Sequence, residues 1–118
     1  MNIRSAKAKG RRLAQRVRES LLKFAKDIDP MDIEVTSSSV TGEDLKLSRA
    51  ALEIYPLVWE CKNQEKLNIW DAIKQAKQHH KDYADFNYFP VFPIVAFSRN
   101  HEDDYVCLKL EDFLTLIR

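Results

Sequence analysis

The stretch WECKNQEKLNIW, residues 59–70, decides how this chain is read. Together with Leu57 and Val58 it opens as a strand over 57–62, breaks at the polar residues 63–66, and starts a helix at Leu67. Side chains alternate across a strand, so Val58, Glu60 and Lys62 share one face while Leu57, Trp59 and Cys61 share the other. The second set is apolar and reads as the core face. Glu60 and Lys62 then project together at the strand's end, beside a polar turn. A carboxylate next to an ammonium is either a chemical pair or a simple ion pair on a solvated face, and Glu-x-Lys alone is too common to decide between them.

Outward from this strand the chain alternates between two periodicities. Residues 5–26 repeat apolar side chains at helical spacing, with Leu13, Val17, Leu21 and Phe24 as the buried stripe and Arg12, Arg16, Glu19 and Lys23 opposite. DIDP (27–30) ends that helix, because the residue before proline avoids helical angles. DIEV (32–35) reads as a short strand, residues 36–42 as a small-residue loop and EDLKL (43–47) as a second strand. Residues 48–56 give one or two helical turns capped by Ser48 and stopped by Pro56. Leu67 to about Ala84 is a long helix with Ile69, Ala72, Ile73, Ala76 and Tyr83 inward, started by Asn68 or Asn63. FPIVAFSR (92–99) and YVCLKL (105–110) form two strands around the turn NHEDD (100–104), and residues 111–118 close with a helix. The order predicts one domain over 1–118, an α/β fold with one mixed sheet and helices packed on it.

The 118 residues suffice for one hydrophobic core. No apolar run approaches membrane-spanning length and no signal peptide is visible, so neither a membrane partner nor secretion is expected. Cys61 and Cys107 lie in apolar runs and read as reduced core thiols, which fits a cytoplasmic setting. The cysteines and histidines show no zinc spacing, and His79, His80 and His101 read as incidental. Trp59 and Trp70 read as core or interface. Gly10 and Gly42 are the only glycines, which makes each position informative.

The net charge of +1 conceals a division. Residues 1–26 hold Arg4, Lys7, Lys9, Arg11, Arg12, Arg16, Arg18, Lys23 and Lys26 against Glu19 alone, while ten bases face seventeen acids in the remainder. Such a split is either a solvated helix face or a basic element that meets a polyanion.

A second acidic position sharpens the reading. Asp44 follows Gly42 at the start of the 43–47 strand, and a neighbouring hairpin brings it beside Glu60. Two converging carboxylates repel unless a cation lies between them. Mg²⁺ suits such a pair, taking one or two carboxylates, waters and phosphate oxygens, with the Cys61 backbone carbonyl as a further ligand. Lys62 beside it has the chemistry to orient or deprotonate an attacking water or to stabilise transition-state charge.

Asp44, a spacer, Glu60-x-Lys62 at a strand end and then a helix resemble the core of the PD-(D/E)xK nuclease superfamily. The chain looks like its small members, the archaeal and phage-type Holliday junction resolvases and related phage endonucleases. The resemblance runs through AKGRR (8–12 within the basic helix, from Ala8), GED (42–44), ECKNQEKLNIWDAIKQA (60–76), PIVAFSRN (93–100) and YVCLKLEDFLTLI (105–117). It implies a restriction-endonuclease-like mixed β-sheet flanked by helices and hydrolysis of DNA phosphodiesters with Mg²⁺ or Mn²⁺. It further implies a homodimer acting on branched DNA, the four-way junction above all, in the cytoplasm of a host cell if the chain is phage-encoded. Asp44 and Glu60 match the metal-binding acids, Lys62 the catalytic lysine and Gln75 a glutamine on the following helix. Asn68, Gln75 and His79 lie along one flank of that helix, which can turn toward the scissile phosphate.

Two positions depart from the pattern. Glu43 stands where proline often precedes the aspartate. The first-helix glutamate of resolvases falls at Ala14 or Gln15, so Glu19 either replaces it one turn later as a metal ligand or relieves charge among Arg12, Arg16 and Lys23. Lys7, Lys9, Arg11, Arg12, Arg16 and Lys66, with Arg99 beside them, are the candidate phosphate contacts. Other readings remain: a nickase, a flap- or end-processing nuclease of the same superfamily, or a non-catalytic DNA-binding accessory of the same fold.

Overall fold

A computed structural model describes residues 3–36, 44–84 and 90–118, the side chains of 3–6 and 82–84 excepted. The 37–43 loop with Gly42 and Glu43, the Tyr83 side chain and Phe89 lie outside the described residues. Helix α1 (Ile3–Phe24) leads through a 3-10 turn (Pro30–Asp32) into the hairpin β1 (Ile33–Val35) and β2 (Leu45–Leu47). Then follow α2 (Arg49–Ile54), β3 (Leu57–Asn63), α3 (Ile69–Ala84), β4 (Phe92–Ser98), β5 (Tyr105–Cys107) and α4 (Leu110–Leu116).

Local chemistry sets the boundaries. The Asp29 side chain accepts from the Met31 amide and starts the 3-10 turn, with Pro30 at its first position. Ser48 accepts from the Ala51 amide at the head of α2. Asn68 accepts from the amides of Trp70 and Asp71, which makes it, and not Asn63, the cap of α3. Arg18 donates to the carbonyls of Ile33 and Pro30, both at 2.7 Å, and so stitches α1 to the first strand.

Strands β1 and β2 pair antiparallel, Ile33 opposite Leu47 and Val35 opposite Leu45. Strands β3 and β4 pair parallel over seven positions, from Leu57 opposite Phe92 to Asn63 opposite Ser98, with α3 as their crossover. Strand β5 returns antiparallel on β4. The hairpin meets β3 through the Asp44 amide, which donates to the Trp59 carbonyl at 3.1 Å. Among the described residues β1 and β2 form a two-stranded sheet and β3, β4 and β5 a three-stranded mixed one, where one sheet was expected; the result is a compact α/β fold flanked by helices.

Helix α1 packs Leu13, Ala14, Val17 and Leu21 against Trp59, Cys61, Ile94 and Ala96. Helix α3 packs Ala72 and Ala76 against Val95, which stands opposite Glu60 in the register. Both faces of β3 are therefore covered along 58–61. The expectation of one core face is corrected: a parallel strand joined through a crossover helix is buried on two sides. Glu60 is only 5% exposed and lies under α3. Phe24, expected in the α1 stripe, is 84% exposed at the last residue of the helix; Ala14 joins the stripe instead. No helix among the described residues is long and apolar enough to cross a membrane.

Candidate active site

The candidate residues gather at the C-terminal half of β3. In an extended strand the amide and carbonyl of one residue point to the same edge, and the next residue's point to the other. Trp59 and Cys61 therefore turn their backbone groups away from β4, toward the start of β2. There the Asp44 amide takes the Trp59 carbonyl, and Asp44 Oδ2 accepts the Cys61 amide at 2.6 Å. A side-chain oxygen thus continues the ladder where the β2 backbone stops, and this fixes the Asp44 carboxylate at the edge of β3.

Glu60 projects from the α3 face of the same strand. Its Oε2 meets His79 Nδ1 at 2.6 Å and its Oε1 lies 3.4 Å from Lys62 Nζ. Burying a carboxylate costs several kcal/mol unless it is well bonded, and these two groups supply the bonding. Burial pushes the Asp44 carboxyl up to about 6; the Cys61 amide opposes this, the charge of Glu60 adds to it, and Lys62 and His79 pull it down. Asp44, Glu60, Cys61 and Lys62 are thus brought together, as the sequence predicts. The Cys61 thiol is buried and its ionisation is pushed upward by desolvation, so this residue's contribution is its backbone.

The fit to a divalent cation is testable on these groups. Asp44 is a carboxylate whose charged form is disfavoured where it stands, next to a second carboxylate, which is the electrostatic setting a cation relieves. The oxygens present are hard donors: two carboxylates and the Cys61 carbonyl. Among the described residues no three His, Cys, Asp or Glu side chains cluster as a metal cage. That composition suits Mg²⁺ or Mn²⁺, which keep several waters, and not a structural zinc.

Helix α1 approaches the site with its basic half. Gly10 lies against β3 so closely that a Cβ there would sit 3.7 Å from the Cys61 carbonyl oxygen. Asn63 Nδ2 donates to the Lys9 carbonyl at 3.5 Å. Lys7, Arg11 and Arg12 are exposed and Lys9 half-buried on this segment. Arg16 is placed differently: its guanidinium forks onto both oxygens of Asp104 at 2.9 Å, which ties α1 to the β4–β5 turn and lowers the Asp104 carboxyl below its ordinary range. Lys66 is exposed in the turn after β3, and Arg99 pairs with Glu102.

Glu19 and Gln15 do not join the carboxylates. Both line a cleft between α1 and β1 with Arg18, Met31 and Glu34. Gln75 is exposed one turn before His79 on α3. His79 is the partner of Glu60 that the sequence reading, which took it as incidental, missed. The available signal was its place: Ala72, Ala76 and His79 continue one stripe at spacings of four and three, and an imidazole on a buried stripe needs a buried partner. His80 meets the Val91 carbonyl at 2.6 Å and ties α3 to the approach of β4.

Comparison of the chain with protein-family models, with curated proteins and with solved structures finds no match.

Proposed function

We propose that this chain is a metal-dependent endodeoxyribonuclease of the PD-(D/E)xK type, a structure-selective enzyme that cuts branched DNA in the manner of phage-type Holliday junction resolvases. The observation that carries the reading is the convergence of Asp44 from the start of β2 with Glu60, the Cys61 carbonyl and Lys62 from β3, beside the basic half of α1. A mixed sheet flanked by helices, with a catalytic strand followed by a crossover helix, supports it.

In this reading Asp44, Glu60 and the Cys61 carbonyl hold Mg²⁺ or Mn²⁺. The cation, when bound, supplies Lewis acidity at the phosphate and acidifies a water. Lys62, an ammonium beside Glu60, orients the attacking water or offsets the charge that develops on the phosphate. Lys7, Lys9, Arg11 and Arg12 neutralise backbone phosphates on either side and read no bases. Arg16 serves α1 and the β4–β5 turn before it serves DNA, because Asp104 already fills its fork.

A four-way junction offers two symmetry-related phosphates and one chain carries one site, so the proposal extends to a two-fold homodimer. The exposed apolar side chains of α4, namely Leu110, Phe113 and Leu114, and of Ile117 just after it support a second copy packing there. The test is incubation of labelled four-way junction, fork, flap and linear duplex with Mg²⁺ or with chelator, alongside light scattering. Symmetric cuts in the junction, dependent on metal and made by a dimer, are expected. Junction binding without cleavage of any substrate would leave an accessory DNA-binding protein.

A further inference from the structure

The geometry points to His79 as a positioning residue: its Nδ1–H holds Glu60 Oε2 so that the other carboxylate oxygen is kept for the cation. The inference rests on the nuclease reading above and deepens it.

Four observations lead to it. First, an ionised carboxylate only accepts hydrogen bonds, so the 2.6 Å contact places a proton on His79 Nδ1. Second, the two oxygens of Glu60 are held unequally. The contact to His79 is as short as a charge-assisted bond, whereas Lys62 stands 3.4 Å from Oε1, beyond that range. Oε1 is therefore the oxygen that a cation can take at little cost. Third, Glu60 is 5% exposed, so water does not hold the carboxylate in place; a side chain must.

Fourth, the approach of His79 is built into α3. Asn68 caps the helix and so sets its phase, and His79 lies eleven residues on, about three turns, on the same flank. Ala72 and Ala76 are only 1% and 3% exposed where the helix crosses Val95, the register partner of Glu60. Small side chains there let the helix lie close to the sheet, and the next residue of the stripe reaches the carboxylate. Ligating carboxylates are oriented by such outer partners, and losing one typically costs about 10–100-fold in metal affinity.

The experiment is a calorimetric titration of the full chain with Mn²⁺ alone, for the native protein and for Glu60→Gln, His79→Ala and His79→Asn, with melting temperatures in chelator. Asparagine carries an amide N–H at the position of imidazole Nδ1, so it preserves the bond without the ring. His79→Ala is expected to weaken Mn²⁺ binding by about 10–100-fold and His79→Asn to restore most of it. In single-turnover junction cleavage the same factor should appear in the Mg²⁺ concentration for half-maximal rate, while the rate at saturating Mg²⁺ stays within a few-fold. If the native protein binds Mn²⁺, Glu60→Gln abolishes binding and His79→Ala leaves it unchanged, the His79 role is overturned and the nuclease reading stands. If the native protein binds no Mn²⁺, the nuclease reading fails and the role of His79 falls with it. Should His79→Ala not fold, His79→Phe, which keeps a ring without the donor, decides: a roughly tenfold or greater loss of Mn²⁺ affinity in a protein of native melting temperature supports the role, and near-native affinity overturns it.

Discussion

Asp44→Asn should make the metal-free protein more stable while abolishing its cleavage. Asp44 has a carboxyl pushed from 3.8 to about 6 by burial and by the neighbouring charge of Glu60. The folded state then binds the proton more tightly than the unfolded chain, so stability falls as pH rises through this window. Below about pH 4 the group costs nothing; above about pH 6 the whole displacement weighs against folding, about 3 kcal/mol. Asparagine retains an oxygen to accept the Cys61 amide and presents an uncharged amide beside Glu60. The variant should therefore gain up to about 3 kcal/mol at pH 8 in chelator, roughly 10 °C in melting temperature for a chain of this size. The gain should vanish near pH 4, where native Asp44 is itself neutral. Mg²⁺ should reverse the order, stabilising the native protein by mass action and leaving the variant unaffected. Urea unfolding at pH 4, 6 and 8, with and without Mg²⁺, measures all three. A variant less stable than the native protein at pH 8 in chelator, or a difference that ignores pH, would refute the argument that Asp44 is a carboxylate held at a cost.

Three further outcomes are expected. Lys62→Ala should slow single-turnover cleavage at saturating Mg²⁺ by about 10²–10⁴-fold with junction affinity in Ca²⁺ nearly unchanged; a near-native rate would reduce Lys62 to an ion-pair partner of Glu60. Arg12→Glu should weaken DNA binding for every base sequence and flatten the slope of affinity against salt, whereas Arg16→Ala should act chiefly by freeing the β4–β5 turn, seen as lower stability and faster amide exchange over 99–104. Gly10→Ala should stabilise the protein by about 0.5–1 kcal/mol in urea unfolding, because Gly10 is inside a helix and an added Cβ makes only ordinary contact at 3.7 Å; loss of stability would refute the view that the methyl is accommodated against the Cys61 carbonyl.

What the sequence determined by itself was everything that depends on neighbours along the chain. The 3.6 and 2.0 periodicities placed the helices and strands, and Ser48 and Pro56 bounded α2 as expected. The spacing of Glu60 and Lys62 put both on one face of β3, and the basic character of α1 was plain from composition. What the chain alone left open was which distant groups meet. Nothing near Arg16 announces Asp104, 88 residues on, and nothing near Glu60 announces His79. Glu19, an acid on the helix, faced two readings until packing turned it into the cleft beside β1. The burial of Glu60 was equally hidden, since Val58-x-Glu60-x-Lys62 reads as an outward face until α3 crosses back over it. Periodicity records which residues of one element share a side. The pairing of sides is set by how helices of given side-chain size settle on the sheet, and here the alanines of α3 decided that a histidine would reach the buried carboxylate.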